Sequence, residues 1–260
     1  MGELKNKIIL VTGASRGIGK SIAQICAREG ATIIASSRTL KANNDFIKSL
    51  PNQELDHSTL TLDVAKPEDI ENAFKFILSK YGRLDGLVNN AGVDFTQPFL
   101  ETSLNDWHRL LDINISSVFL LSQLAIKAML KNKKGGAIVN ISSVHTFATY
   151  SGSGPYAASK GAMKMLTKAL TCEFAKETIR INTVSPGLTR TDIWEDHIKL
   201  HGSEEEALKH WSKNIPSGKL VEPEEVGELT SFMLSDRAYS INGTEIYIDG
   251  GMTAQLISGE

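Results

Sequence analysis

Tyr156 and Lys160 lie four residues apart in the run Tyr156-Ala157-Ala158-Ser159-Lys160. On a helix that interval stacks two side chains one turn apart on one face, here a phenol beside an ammonium. A free tyrosine titrates near about 10, too high for proton exchange at neutral pH. A neighbouring positive charge favours the phenolate, so the spacing predicts a tyrosine general acid or base tuned by its lysine. Lys160 shares its helix face with Met163, Leu170 and Phe174. That points its stem inward and obliges a buried ammonium to find partners.

A second group of residues suits a phosphate-bearing ligand. Ile8–Val11 reads as a strand leading into Thr12-Gly13-Ala14-Ser15-Arg16-Gly17-Ile18-Gly19, and a helical pattern follows from Lys20 to Glu29. Glycines at a strand-to-helix turn let the backbone approach a pyrophosphate and aim free N–H groups at it. Their order is G-x-x-x-G-x-G rather than G-x-G-x-x-G. The second strand ends Ser36-Ser37-Arg38, with no acid before Asp45. An NAD site usually carries an acid there, about 20 residues after the glycines. A hydroxyl and an arginine suit a 2′-phosphate instead, with Arg16 as a second positive group. NADP(H) is therefore the preferred cofactor and NAD(H) the alternative, although either arginine alone reads equally well as a solvated surface residue.

Two further turns face the same way. Asp63-Val64 ends the third strand, where a carboxylate could accept from an adenine amino group. Asn89-Asn90-Ala91-Gly92 ends the fourth, where small residues permit close backbone approach. Both are also ordinary turn formers. With a nicotinamide nucleotide in this place, the Tyr156–Lys160 pair becomes the proton-handling half of a hydride transfer.

These residues need a scaffold, and the chain supplies one. Lys7–Val11, Thr32–Ala35, Leu60–Leu62, Gly86–Val88, Ala137–Ile141, Ile181–Val184 and Glu245–Ile248 read as strands. Near-continuous apolar runs suit a parallel sheet covered on both faces. Helices start at Lys66-Pro67-Glu68-Asp69, at the capping sequence Ser103-Leu104-Asn105-Asp106, and at Glu222-Pro223-Glu224-Glu225. Strand and helix alternate throughout, which predicts an α/β fold with a doubly wound parallel sheet in one domain spanning 1–260. Residues 187–219 read as irregular, with Trp194, Trp211, His197, His201 and His210, and are expected to form a lid over substrate. The histidines lack tight ligand spacing, so no metal site is expected.

In the helix from Ser103, an apolar stripe runs through Trp107, Leu111, Val118 and Leu121, and Asn114 falls on it. A buried amide without partners costs on the order of a few kcal/mol. A structural asparagine satisfied by backbone carbonyls and a catalytic one both fit.

With 260 residues, 41% of them hydrophobic, the chain can bury a large core. A formal net charge of -2 argues against nucleic acid as the main partner. Cys26 and Cys172 lie in amphipathic stretches without metal spacing and read as buried free thiols in a reducing compartment. No apolar run reaches the ~20 residues of a membrane span, and Met1–Lys5 lacks the apolar core of a signal peptide. A soluble cytoplasmic protein is expected.

With these segments in order, the sequence resembles the short-chain dehydrogenase/reductase family over nearly its whole length. The resemblance rests on Thr12–Gly19, Asn89–Gly92, Asn114, Ser143 thirteen residues before Tyr156, Tyr156 with Lys160, and Ser185-Pro186-Gly187 followed by Thr191. It implies a Rossmann-type sheet of about seven strands. It also implies that Tyr156 is general acid in reduction and base in oxidation, and that Ser143 bonds the substrate oxygen. Lys160 would hold the nicotinamide ribose and promote Tyr156 ionisation, while Asn114 would support a water relaying protons to Lys160. Cofactor contacts would come from Gly13, Ser15, Arg16, Gly17, Ile18, Gly19, Ser37, Arg38, Asp63, Val64, Asn90, Ala91 and Gly92. Tyr156, Lys160, Pro186, Gly187, Thr189 and Thr191 would join them, with Pro186-Gly187 and Thr191 at the carboxamide. Members are often tetramers, so a homo-oligomer (tetramer or dimer) is implied.

The expected substrate is a small carbonyl compound or secondary alcohol. Val93–Phe99, Val144–Pro155 and Leu188–Lys219 are expected to line its pocket, with Phe95, Phe147, Tyr150, Trp194, Trp211, His145, Thr146 and Ser153 on offer. Ser143-Val144-His145 is similar to sugar dehydrogenases of the family, and the general pattern equally resembles 3-oxoacyl reductases. A catalytically silent NADP-binding regulator is the competing class.

Overall fold

The computed structural model describes residues 2–38, 45–132 and 134–256; the side chains at 193, 195–197 and 212 lie outside that description, and with them His197. Seven strands, β1 (Ile8–Thr12), β2 (Thr32–Ser37), β3 (Ser58–Thr61), β4 (Gly86–Asn89), β5 (Gly136–Ile141), β6 (Ile179–Pro186) and β7 (Glu245–Ile248), form one sheet in the order β3-β2-β1-β4-β5-β6-β7. Every adjacent pair is parallel. All seven strands expected from the sequence are present, with ends shifted by a few residues.

The strand alternation sorts each run onto two faces. Ile9, Val11, Ile33, Ala35 and Val139 pack with α1 (Gly17–Arg28) and α8 (Pro223–Leu234), through residues such as Ile22, Cys26, Val226 and Met233. Ile8, Leu10, Ile34, Leu87 and Ile138 point the other way, onto α2 (Pro67–Tyr81) and α4 (Ser117–Asn132), through Phe74, Ile77, Leu121 and Met129. Two covered faces explain why the strands read as continuous apolar runs. α8 starts where its sequence predicts, and the Glu225 carboxylate accepts from Glu222 N at 2.8 Å.

Chain order runs outward from β1 to β3 and then returns to β4 on the other side of β1. At such a switch point adjacent loops diverge beyond the carboxyl ends of the strands and leave a crevice.

Three expectations are corrected. Residues 187–219 are not irregular: α6 (Asp192–His201) and α7 (Glu204–Ser212) form a helical pair. Its own small core holds Trp194, only 1% exposed, with Ala207, Ile215 and Leu220, and Trp211 packs against it. The two tryptophans were hidden as packing residues because the charges around them mask the helical period. Cys26 is buried but Cys172 is exposed, on α5 (Gly154–Phe174). Leu104–Asn132 is a 29-residue helical stretch long and apolar enough to cross a membrane; its most apolar window has mean hydropathy 1.5, and half of that window is buried within the fold. That stretch contains α3 (Leu104–Leu111), a π-helical turn (Asp112–Ser116) and α4.

Candidate active site

Tyr156 lies in the first turn of α5, just after Pro155, whose fixed φ suits a helix start. Lys160 follows one turn later and is 5% exposed. Its Nζ lies 5.5 Å from the Tyr156 ring centre and donates to the carbonyl oxygen of Ile141, the last residue of β5, at 3.1 Å. The inward lysine read from the helix period is therefore present, with Met163 and Thr167 buried on the same side. Ser143 leaves the end of β5 in an extended conformation and precedes a short 3₁₀ turn, Val144–Thr146. Its hydroxyl lies close enough to the Tyr156 phenol to favour the ionised form of that phenol. Ser142 is buried with its Oγ unpartnered among the described residues.

Asn114 sits in the middle of the π-helical turn and is completely buried. Its Oδ1 accepts from Val93 N at 2.9 Å, and its Nδ2 donates to Val93 O at 2.9 Å and to Ser159 Oγ at 3.3 Å. Ser159 Oγ in turn donates to Tyr156 O at 2.7 Å. The amide thus ties the segment after β4 to the first turns of α5. The π turn also explains why the sequence stripe slipped. One extra residue per turn rotates the buried face, so Leu110, Ile113, Ser117 and Val118 are inside while Trp107 and Leu111 are half-buried.

Electrostatics differ from the sequence expectation. Burial pushes the Tyr156 phenol above its usual value, and the Asp94 carboxylate adds to the effect; the Ser143 hydroxyl pulls the other way. Burial also pushes the Lys160 ammonium down to about 8, against the pull of Asp94. The expected lowering of the tyrosine by its lysine is absent because desolvation of a buried phenolate outweighs a cation that is itself losing its charge. The protein alone therefore keeps residue 156 as a phenol, a proton donor. Burial lowers the His145 imidazole, opposed by Asp94. Its ring stacks edge-on against Tyr156 at 5.1 Å and Tyr150 at 4.9 Å, and its Nδ1 pairs with Thr149 Oγ1 at 2.8 Å.

Asp94 was missed in the sequence. It follows Gly92-Val93 directly, and a charged residue just beyond a small-residue turn was the available signal.

Beside these residues runs a crevice of about 690 Å³, at the switch point between β1 and β4. Gly13, Ser15, Arg16, Gly17, Ile18, Gly19, Ser37, Arg38, Asp63, Val64, Asn90, Ala91, Gly92 and Thr191 all line it. Tyr156, Lys160, Pro186, Gly187 and Thr189 do not: Tyr156 and Lys160 lie beyond Gly92, Pro186 ends β6, a Cβ on Gly187 would lie 2.9 Å from Asp249 Cα, and Thr189 is buried with its hydroxyl on Gly187 O. Arg16 reaches the crevice, but its guanidinium pairs with Asp192 at 2.7 Å.

The crevice fits a dinucleotide. Asn90 Nδ2 donates to the carbonyls of Thr12 and Gly13 at 2.9 and 3.2 Å, which locks the glycine turn onto β4. A Cβ at Gly19 would lie 2.3 Å from that amide nitrogen, so glycine is required there. The α1 N-terminus has no side-chain cap and no acid in its first turn, leaving its N–H groups and positive dipole end for an anion. At Gly92, a Cβ would lie 3.4 Å from Asn114 Oδ1 and 3.8 Å from Lys160 Nζ. That glycine is where the crevice meets the Tyr156 group.

His201 and His210 stack at 4.7 Å on α6 and α7. Among the described residues no three His, Cys, Asp or Glu side chains converge as metal ligands.

Known proteins share this design. Residues 13–253 match a family model described as Enoyl-(Acyl carrier protein) reductase. The chain is 35% identical over 256 residues to cyclopentanol dehydrogenase from Comamonas sp. (strain NCIMB 9872), covering 98% of this chain and 100% of that protein. It is 34% identical over 249 residues to meso-2,3-butanediol dehydrogenase from Serratia marcescens, covering 96% and 95%. A crystal structure of a short-chain type dehydrogenase/reductase from Mycobacterium marinum superposes with a TM-score of 0.88 at 31% identity, over 97% of each chain. With this sheet, this crevice and these relatives, the chain belongs to the short-chain dehydrogenase/reductase family and is an oxidoreductase acting on CH–OH donors.

Proposed function

We propose that this protein interconverts a secondary alcohol and its carbonyl with NADP(H), using Ser143, Tyr156, Lys160 and Asn114. The observation that carries the reading is the convergence of the Ser143 hydroxyl, the Tyr156 phenol and the Lys160 ammonium where Gly92 borders the crevice. A bound nicotinamide nucleotide supplies or accepts the hydride. The residues of this chain align the substrate and move the proton. In reduction, the phenol of Tyr156 donates its proton to the substrate oxygen while the Ser143 hydroxyl holds that oxygen. Lys160, with its pKa pushed down to about 8, gains or releases a proton near neutral pH and returns Tyr156 to its phenol form. Asn114 holds Val93 and Ser159 in register with this pair.

Arg38 and Ser37 at the end of β2, with no acid beside them, support NADP(H) over NAD(H). Relatives named for cyclopentanol, meso-2,3-butanediol and glucose support a small alcohol, polyol or sugar as substrate ahead of a 3-oxoacyl compound. The half-exposed Tyr150 and polar His145 beside Tyr156 suit such a molecule. Exposed Phe119 on α4 and Met165 on α5 support association with further copies of the chain.

The test is a panel of cyclopentanol, meso-2,3-butanediol, glucose and 3-oxoacyl thioesters, with each cofactor at equal concentration and Tyr156→Phe in parallel. The variant should lose about 10²- to 10⁴-fold in turnover with nucleotide affinity retained. Substantial turnover by Tyr156→Phe would overturn the assignment.

A further inference from the structure

One carboxylate outside the reacting group gathers side chains from α5, from the turn after Ser143 and from β6. Glu245, at the start of β7, has a side chain only 6% exposed. It pairs with Lys164 Nζ at 2.7 Å and accepts from Ser185 Oγ at 2.6 Å, from Tyr247 Oη at 2.7 Å and, closer still, from Thr146 Oγ1. Lys164 is one turn beyond Lys160 on α5. Ser185 precedes the Pro186-Gly187 turn. Thr146 closes the 3₁₀ turn that begins after Ser143.

Ser143 itself lies between two anchors. On one side, Ser142 N donates to Val184 O at 2.8 Å, the last sheet contact of this segment. On the other, Thr146 N donates to Ser143 O at 3.1 Å; the Thr146 hydroxyl, whose single proton is shared, lies between that same carbonyl at 3.1 Å and the Glu245 carboxylate, 3.1 Å from Tyr247 Oη. Past Thr146 the chain is exposed, with Phe147 64% accessible. A serine that must hold a substrate oxygen within a few tenths of an ångström needs a rigid turn behind it. Burial pushes the Glu245 carboxyl up, and its four hydrogen bonds more than reverse that, leaving it below the usual carboxylate range. It is a charged acceptor, and charge-assisted hydrogen bonds are the stronger kind.

We propose that Glu245, acting through Thr146, is a positioning residue that fixes the Ser143 hydroxyl against Tyr156. The proposal rests on the reading of Ser143 given above. Lys164 gives the buried Glu245 carboxylate its counter-charge, so removing Lys164 alone would leave that carboxylate buried and unpaired.

The test is a double-mutant cycle in the full chain, using whichever of cyclopentanol, meso-2,3-butanediol or glucose the wild-type protein oxidises best. Thr146→Val keeps the shape and removes the hydroxyl. It should lower kcat about tenfold, leave the Kd for NADP⁺ unchanged, and be rescued by Thr146→Ser. In a Ser143→Ala background the same Thr146→Val change should have no further effect on kcat, which a general loss of folding would not reproduce. Glu245→Leu combined with Lys164→Met, which leaves no buried charge, should match Thr146→Val. A Thr146→Val loss of equal size with and without Ser143, or no loss at all, would overturn the clamp. Undiminished turnover by Ser143→Ala would instead bring down the reading of the site, and the clamp with it.

Discussion

Lys160 donates through Nζ to the carbonyl of Ile141, two residues before Ser143, at 3.1 Å. The bond joins the helix of Tyr156 to the strand end that carries the serine. It also gives a buried ammonium one neutral acceptor in place of a counter-charge, which is why burial dominates its pKa.

That burial should be visible in stability. A lysine in the unfolded chain titrates near about 10.4, whereas Lys160 is pushed down to about 8. Between those values the unfolded chain binds more protons, so the contribution of Lys160 to stability improves as pH rises through that window. Below it the residue carries its full penalty, on the order of 3 kcal/mol. Lys160→Met should therefore be more stable than wild type at pH 7, with the gap closing between pH values of about 8 and about 10. Urea unfolding across that range measures it. A gap independent of pH would contradict the assignment.

Asp94 favours the protonated forms of Lys160, Tyr156 and His145 alike. Asp94→Asn should lower all three, moving the basic limb of the kcat/KM profile to lower pH by about half a unit. A shift to higher pH would exclude a role for this charge.

Cofactor choice should follow Arg38 more than Arg16. Arg38 lines the crevice and is exposed, whereas Arg16 is paired with Asp192. Loss of a charge-assisted contact is worth about 1.5–3 kcal/mol, so Arg38→Ala should weaken NADP⁺ binding by about 10- to 100-fold and barely affect NAD⁺. Arg16→Ala should cost less. Fluorescence titration of both nucleotides distinguishes the outcomes, and equal losses for NADP⁺ and NAD⁺ would refute a 2′-phosphate contact.

Gly19→Ala tests the cradle. Its Cβ would meet Asn90 Nδ2 at 2.3 Å and Gly13 O at 2.4 Å, and forcing them apart should cost about 1–3 kcal/mol. The variant should melt lower and bind neither nucleotide measurably. Normal binding would mean that the turn is looser than its packing indicates.

Much of this site was readable from spacing because its parts are local. A tyrosine and a lysine four apart share a helix face whatever surrounds them, and a glycine turn between strand and helix has few conformations open to it. Asn114 was legible as an anomaly, an amide on an apolar stripe, although the π turn that accounts for its burial leaves no mark in a 3.6-residue period. Residues 187–219 misread for the opposite reason. Their helices carry charge on most faces, and the cluster around Trp194 draws on residues as distant as Leu220 and Met252.

The sequence by itself determined the alternating fold, the glycine turn and the pairing of Tyr156 with Lys160, since each depends on near neighbours along the chain. Only the tertiary structure decided the balance of charge. Whether Tyr156 rests as a phenol depends on how much water the folded chain excludes and on Asp94, 62 residues away. Whether Ser143 is held depends on Glu245 of a strand formed about a hundred residues later. Desolvation and convergence are properties of the packed fold, and no spacing within a helix or turn encodes them.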